Sequence, residues 1–148
     1  MSLNTTINTN QDQWIYGKPI DFQEMKDISQ QQTQDSDIVI FDVREVADYA
    51  AGHIPNALHL PLTVFEASLA MDQDVFARTY RFSKPAPEQK VVLYCRSGRR
   101  SGLAADIARG CGYKRVREYK GSWNEWSAKM AEQGDDAAAQ TKQTSQAN

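Results

Sequence analysis

Two short apolar runs constrain this chain more than any other feature. Asp37-Ile-Val-Ile-Phe-Asp-Val43 and Lys90-Val-Val-Leu-Tyr94 are short, and their apolar residues run on instead of alternating with polar ones. That pattern suits strands buried on both faces, which belong to parallel sheets. Parallel strands need crossovers, normally helical, so the sequence around the runs should carry helix signals. It does. Asp21 and Glu24 fit a capping box opening a helix with Phe22, Met25 and Ile28 on one face. Glu45–Ala51 forms a short helix stopped by Gly52, Thr63 with Glu66 caps a helix to Ala70, and Asp74–Arg81 forms another. Ser101–Gly110 is an Ala- and Leu-bearing helix closed by Gly110 and Gly112, and Ser122–Met130 is the last. Ala57–Leu60, bracketed by Pro55 and Pro61, and Val116–Tyr119 supply two more strands. The expected fold is α/β in three layers: a small, mostly parallel central sheet with helices on both faces.

At 148 residues the chain has the length of one domain, and 41% hydrophobic residues allow a packed core. Residues 1–13 and 133–148 are polar and poor in large apolar side chains, so both are expected to be disordered, leaving one domain at 14–132. Lys plus Arg number 17 against 19 Asp plus Glu, a net charge of -2. That balance argues against nucleic-acid binding and against a polybasic membrane anchor. No apolar run approaches the roughly 18 residues of a membrane span. Two cysteines cannot build a disulfide framework, which points to a reduced, intracellular protein. Met1–Trp14 has no Lys or Arg and no apolar stretch, so no secretory signal is expected and an Arg-rich presequence is disfavoured. A cytoplasmic location is expected, with the mitochondrion as the alternative.

In parallel α/β sheets, ligands sit beyond the carboxyl ends of the strands. One strand here runs straight into a nucleophile: Val91-Val-Leu-Tyr94 is followed by Cys95-Arg-Ser-Gly-Arg-Arg-Ser101 and then a helix. A strand-to-helix loop turns successive N–H groups inward, and the helix N-terminus adds partial positive charge. Gly98 admits backbone angles closed to other residues. Arg96, Arg99 and Arg100 put cations around the thiol. All these features favour thiolate, so Cys95 should titrate below the ordinary value of about 8.5. The segment reads as an anion cradle with Cys95 as nucleophile and Arg96, Ser97, Gly98, Arg99 and Arg100 as its binding residues.

These residues resemble the rhodanese-like family, in particular its small single-domain thiosulfate sulfurtransferases, over roughly Ile20–Met130. Asp42-Val-Arg-Glu45 resembles the family's Asp-x-Arg-Glu strand end, and Tyr49-Ala-Ala-Gly-His-Ile-Pro-Asn-Ala57 its Tyr-x-x-Gly-His-Ile-Pro-Gly-Ala segment. Leu93-Tyr-Cys-Arg-Ser-Gly-Arg-Arg-Ser101 matches the six-residue catalytic loop, and Gly112-Tyr-Lys-Arg-Val116 with Tyr119-Lys-Gly-Ser-Trp123 the closing pattern. Asn56 and Ser122 stand where Gly is usual. Asp48 holds a place where two-domain mammalian members have Arg. The resemblance implies ping-pong transfer: Cys95 takes the sulfane sulfur of thiosulfate or a related donor and hands it to glutathione, thioredoxin or cyanide. It implies no metal or organic cofactor, and a monomer or weak dimer is expected.

Asp42 and Arg44, at the other strand end, are supporting residues, read as a buried ion pair or a helix cap. His53 should satisfy backbone groups in a turn, and His59 should lie on the exposed face of a short strand. Cys111 lies about 15 Å of helix rise beyond the loop, too far for a disulfide with Cys95, and reads as structural. Trp123 and Trp126 read as core, one of them at the mouth of the site. Phe65, Leu69 and Phe76 read as helix-spaced core rather than an acceptor channel. Two rivals share the cysteine loop or the fold. A phosphatase or arsenate reductase needs Cys-x5-Arg, whereas Cys95 to Arg100 is the shorter Cys-x4-Arg. A non-catalytic binding module has no need of the cysteine.

Overall fold

Side chains alternate through the sheet, and that alternation sets the layers. In the computed structural model, which describes residues 9–31 and 37–133, four strands form one parallel sheet. They are β1 (Ile38–Asp42), β2 (Ala57–His59), β3 (Lys90–Tyr94) and β4 (Arg115–Glu118), in the order β2-β1-β3-β4. Val39, Phe41, Val91 and Leu93 turn to one face; Ile40, Val92 and Tyr94 turn to the other, and each set joins its own buried cluster. Both faces are core, which is why neither run alternates with polar residues.

The first face is covered by α4 (Leu62–Ala70), α5 (Gln73–Tyr80) and α6 (Arg99–Gly110), through Phe65, Leu69, Phe76, Ala104, Ala105 and Ala108. The second is covered by α1 (Thr9–Tyr16), α2 (Phe22–Gln31) and α7 (Ser122–Gln133), through Trp14, Phe22, Met25, Ile28 and Trp126. The short α3 (Val46–Ala51) links β1 to β2. The chain leaves β1 toward β2 on one side and β3 toward β4 on the other. The ends of β1 and β3 therefore flank a switch point, where α/β sheets open a crevice. Their register sets Asp42 beside Tyr94, and the Val43 N–H donates to the Tyr94 carbonyl at 3.1 Å.

Several local expectations are corrected. The Asp21 carboxylate accepts the Glu24 N–H at 2.9 Å, but the Glu24 carboxylate takes the Arg117 guanidinium at 2.8 and 2.9 Å. Arg117 is 1% exposed and also donates to the Lys18 carbonyl, so a charge-assisted pair occupies the group expected to complete the capping box. Pro61, already extended at φ -60° and ψ 149°, precedes α4, and the Thr63 hydroxyl caps nothing. Asp72 caps α5 through the Val75 N–H. α1 begins at Thr9, inside the stretch expected to be disordered. Its anchor is Trp14, buried beneath the Arg117 guanidinium at 4.8 Å. Residues 1–8 and 134–148, which carry the rest of the disorder expectation, lie outside the described residues.

Candidate active site

β3 ends at Tyr94 and α6 opens at Arg99, so Cys95–Gly98 must reverse direction in four residues. Gly98 does so at φ +97°, where a Cβ atom would meet the Lys120 carbonyl oxygen at 2.6 Å; glycine is required there. The turn aims the Gly98 and Ser101 N–H groups at the Cys95 Sγ, at 3.1 and 3.3 Å. The Ser101 hydroxyl lies 3.7 Å from the sulfur. Across the loop, the Ser122 hydroxyl accepts the Cys95 N–H at 3.1 Å, donates to the Tyr119 carbonyl at 3.0 Å and lies 3.9 Å from Sγ. The first N–H groups of α7 close the loop from behind: Trp123 donates to the Cys95 carbonyl at 2.9 Å and Asn124 to that of Arg96 at 3.0 Å. Cys95 itself is 2% exposed.

Burial pushes the Cys95 thiol up, but the amide and hydroxyl of Ser101 with the amides of Gly98 and Ser97 outweigh it. The thiol therefore titrates below its ordinary value. We expect Ser101→Ala to raise the pH midpoint of Cys95 alkylation by roughly 0.5–1 pH unit. A hydrogen bond to a charged group is worth about 1.5 kcal/mol, near one pH unit. An unchanged midpoint in a folded variant would show that the hydroxyl has no part in activation.

Two of the loop arginines pair with carboxylates at the rim. Arg96 reaches away from the sulfur to both Asp48 oxygens at 3.1 Å, and Arg100 reaches Glu45 at 3.4 Å. The groups that lower the thiol most are loop amides and a hydroxyl, with no guanidinium among them. The interior of the turn is already filled by N–H groups, which leaves long, hydrated side chains at the rim. Arg44, Glu45, Asp48, Cys95, Arg96, Ser97, Arg99 and Arg100 line one open pocket of about 350 Å³. Among the described residues, Arg99 is the loop arginine that makes no ion pair.

Asp42 and Arg44 form the buried ion pair and not the cap; the α3 N-cap is Glu45, with no side-chain bond. Arg44 Nε and Nη2 donate to the Asp42 carboxylate at 2.7–3.1 Å, the Arg44 N–H adds a bond at 2.9 Å, and the Tyr94 hydroxyl donates at 2.6 Å. Burial works against the Arg44 charge, yet Asp42 more than offsets it and holds the guanidinium above its ordinary pKa. Arg44 also donates to the Gly52 carbonyl at 2.6 Å and lies 4.9 Å over the Trp123 ring.

His53 occupies the expected turn, its Nδ1 2.9 Å from the Tyr49 carbonyl. His59 is half-buried instead of exposed: Tyr49 stacks on it at 4.7 Å, and its Nε2 lies 2.8 Å from the Arg44 carbonyl. A three-residue strand is short enough for one side chain of α3 to cover. Cys111 is exposed at the end of α6, not part of the core. Trp126 is core, and Trp123 lines a neighbouring hollow rather than the Cys95 pocket. Ser101 and Ser122 were missed as site residues. A signal for Ser122 existed, since it and Asn56 occupy glycine places. Both keep the left-handed turn, at φ +59° and +70°. Such strain costs on the order of 1 kcal/mol or more, and the hydroxyl of Ser122 gains the Cys95 contact in exchange.

The site is a cysteine at the switch point of a parallel sheet, its sulfur facing loop amides beneath a rim of arginines. The rhodanese-like domain family matches residues 22–129, and the chain belongs to that family. A Schizosaccharomyces pombe protein assigned as a mitochondrial thiosulfate sulfurtransferase is 43% identical over 110 residues, 74% of this chain and 78% of that one. The human thiosulfate:glutathione sulfurtransferase is 38% identical over 91 residues, 61% of this chain and 79% of its own length. The structure of a human single-domain sulfurtransferase superposes with a TM-score of 0.68 at 32% identity, covering 75% of this chain and 96% of that one.

Proposed function

We infer that this protein is a thiosulfate sulfurtransferase that carries sulfur on Cys95. The observation that carries the reading is the Cys95 Sγ at the base of the pocket with the Gly98 and Ser101 amides aimed at it. In the first half-reaction the thiolate attacks the outer sulfur of thiosulfate. A bond forms between Cys95 and that sulfur, the bond to the sulfonyl sulfur breaks, and sulfite leaves with the electron pair. Cys95 then bears a persulfide whose terminal anion the same amides can hold. In the second half-reaction a thiolate or cyanide attacks the terminal sulfur and regenerates the Cys95 thiolate. Dividing the transfer this way replaces one hard displacement by two easier ones.

Relatives named for glutathione favour a small thiol as the acceptor over thioredoxin. Two relatives carry the mitochondrion in their names, which favours that alternative over the cytoplasm. Mass spectrometry after thiosulfate tests the core of the reading: one added sulfur on the Cys95 peptide is expected, and an unmodified peptide would overturn it.

The rim arginines are assigned to donor binding rather than to activation. Replacing both Arg99 and Arg100 by Gln should raise the KM for the thiosulfate dianion about tenfold at low salt. The difference should shrink as salt screens the wild type. The alkylation midpoint of Cys95 should stay within about 0.3 pH unit, because the amides that set it are untouched. A large upward move of that midpoint would return the arginines to the activating role.

A further inference from the structure

Beside the Cys95 pocket lies a second hollow of about 280 Å³, floored by Trp123 and rimmed by Ala51, Gly52 and Asn124. The two hollows share Arg44, Asp48 and Arg96, and the Arg96–Asp48 ion pair stands between them. We propose that this hollow seats the acceptor, a small thiol peptide carrying carboxylates and an ammonium group, while the Cys95 pocket receives the donor. The proposal rests on the sulfurtransferase reading and adds the place and chemical class of the second substrate.

Three observations carry it. The first is adjacency: the floor is bonded to the catalytic loop itself, Trp123 N–H to the Cys95 carbonyl and Asn124 N–H to that of Arg96. The second is the partition. The Arg96 side chain is 64% exposed and that of Asp48 31%, so their bond is solvent-screened and easily exchanged. A carboxylate entering the hollow can take the guanidinium of Arg96, and an ammonium can take the released Asp48. That combination of charges is what a zwitterionic peptide offers and an inorganic anion does not. The third is the floor, which is built and held. A Cβ atom at Gly52 would meet the Trp123 ring at 3.2 Å, and Arg44 packs over the same ring. A flat aromatic face gives a peptide backbone or methylene chain a surface to lie on.

The transfer balances without another reactant. The acceptor thiolate attacks the terminal sulfur of the Cys95 persulfide, a new sulfur–sulfur bond forms on the peptide, the old one breaks, and its electron pair returns to Cys95.

The test separates the two halves of the reaction in the full chain, with glutathione and cyanide as acceptors. Ala51→Trp fills the hollow without changing charge, and Asn124→Asp adds an anion at its rim. Both positions are exposed, and an acid in the first turn of α7 is compatible with the helix. Each variant should raise the KM for glutathione at least about fivefold. Sulfur loading of Cys95 by thiosulfate, and its discharge to cyanide, which needs no seat, should change less than about twofold. Equal losses with glutathione and cyanide, or no loss with either, would overturn the proposal. If thiosulfate leaves no sulfur on Cys95 of the unaltered protein, the sulfurtransferase reading falls first and the acceptor seat with it.

Discussion

Cys95→Ser should abolish sulfur transfer, by at least about a thousandfold, whereas Cys111→Ser should retain it within about twofold. A serine hydroxyl stays protonated at neutral pH and forms no persulfide, so the covalent route closes while the fold is untouched. Serine fits the site, because the Gly98 and Ser101 N–H groups that face Sγ can face an oxygen equally well. Cys111 is exposed at the far end of the 12-residue α6, roughly 15–18 Å of helix rise from the loop. It cannot approach the persulfide, so it neither carries nor resolves it. Thiosulfate-to-cyanide turnover with mass spectrometry of both cysteine peptides checks the result. Comparable losses in two folded variants would rule out a mechanism on Cys95 alone.

The parts of this molecule legible from sequence are those fixed by local chemistry. Ile38–Asp42 and Lys90–Tyr94 read as doubly buried strands because burial on two faces leaves no room for alternation. The loop after Tyr94 read as an anion cradle because a strand, Gly98 and a helix start must turn amides inward. What stayed hidden depends on partners far away in the chain. Glu24 lies three residues from Asp21, yet its carboxylate belongs to Arg117 of β4. Thr9–Gln13 is polar enough to read as disorder, and only Trp14, under the Arg117 guanidinium, explains a helix there. The direction of a rim arginine is equally non-local. Arg96 and Arg100 lie within five residues of Cys95 in sequence, but their partners Asp48 and Glu45 come from the β1–α3 segment. Ser122 is the instructive case. Its sequence signature was a departure from glycine, and its meaning, a hydroxyl on the Cys95 backbone, required the two loops to be brought together.

Asp42→Ala should destabilise the protein by about 3–5 kcal/mol, the usual cost of leaving one member of a buried ion pair without its partner. For a domain of this size that corresponds to a fall in Tm of roughly 10–25 °C. Asp42 has no solvent exposure and Arg44 has 3%, so water cannot replace the lost carboxylate without opening the core. The loss also leaves the Tyr94 hydroxyl without the acceptor it meets at 2.6 Å. Arg44 is then a buried cation held only by the Gly52 carbonyl and the faces of Tyr94 and Trp123. Removing the cation as well tests this account. The double variant Asp42→Leu with Arg44→Met takes away both charges and should recover most of the lost Tm, because two apolar groups of similar volume need no partner. Activity should not recover with it. Arg44 lines the Cys95 pocket, ties Gly52 in place and packs on Trp123, so the wall between β1 and α7 loses its shape even where the core regains its stability. Thermal unfolding and sulfur transfer measured on the single and double variants should therefore part company. Recovery of both together would mean that the pair serves folding alone, and failure of the double variant to regain Tm would mean that the buried charge was never the source of the cost.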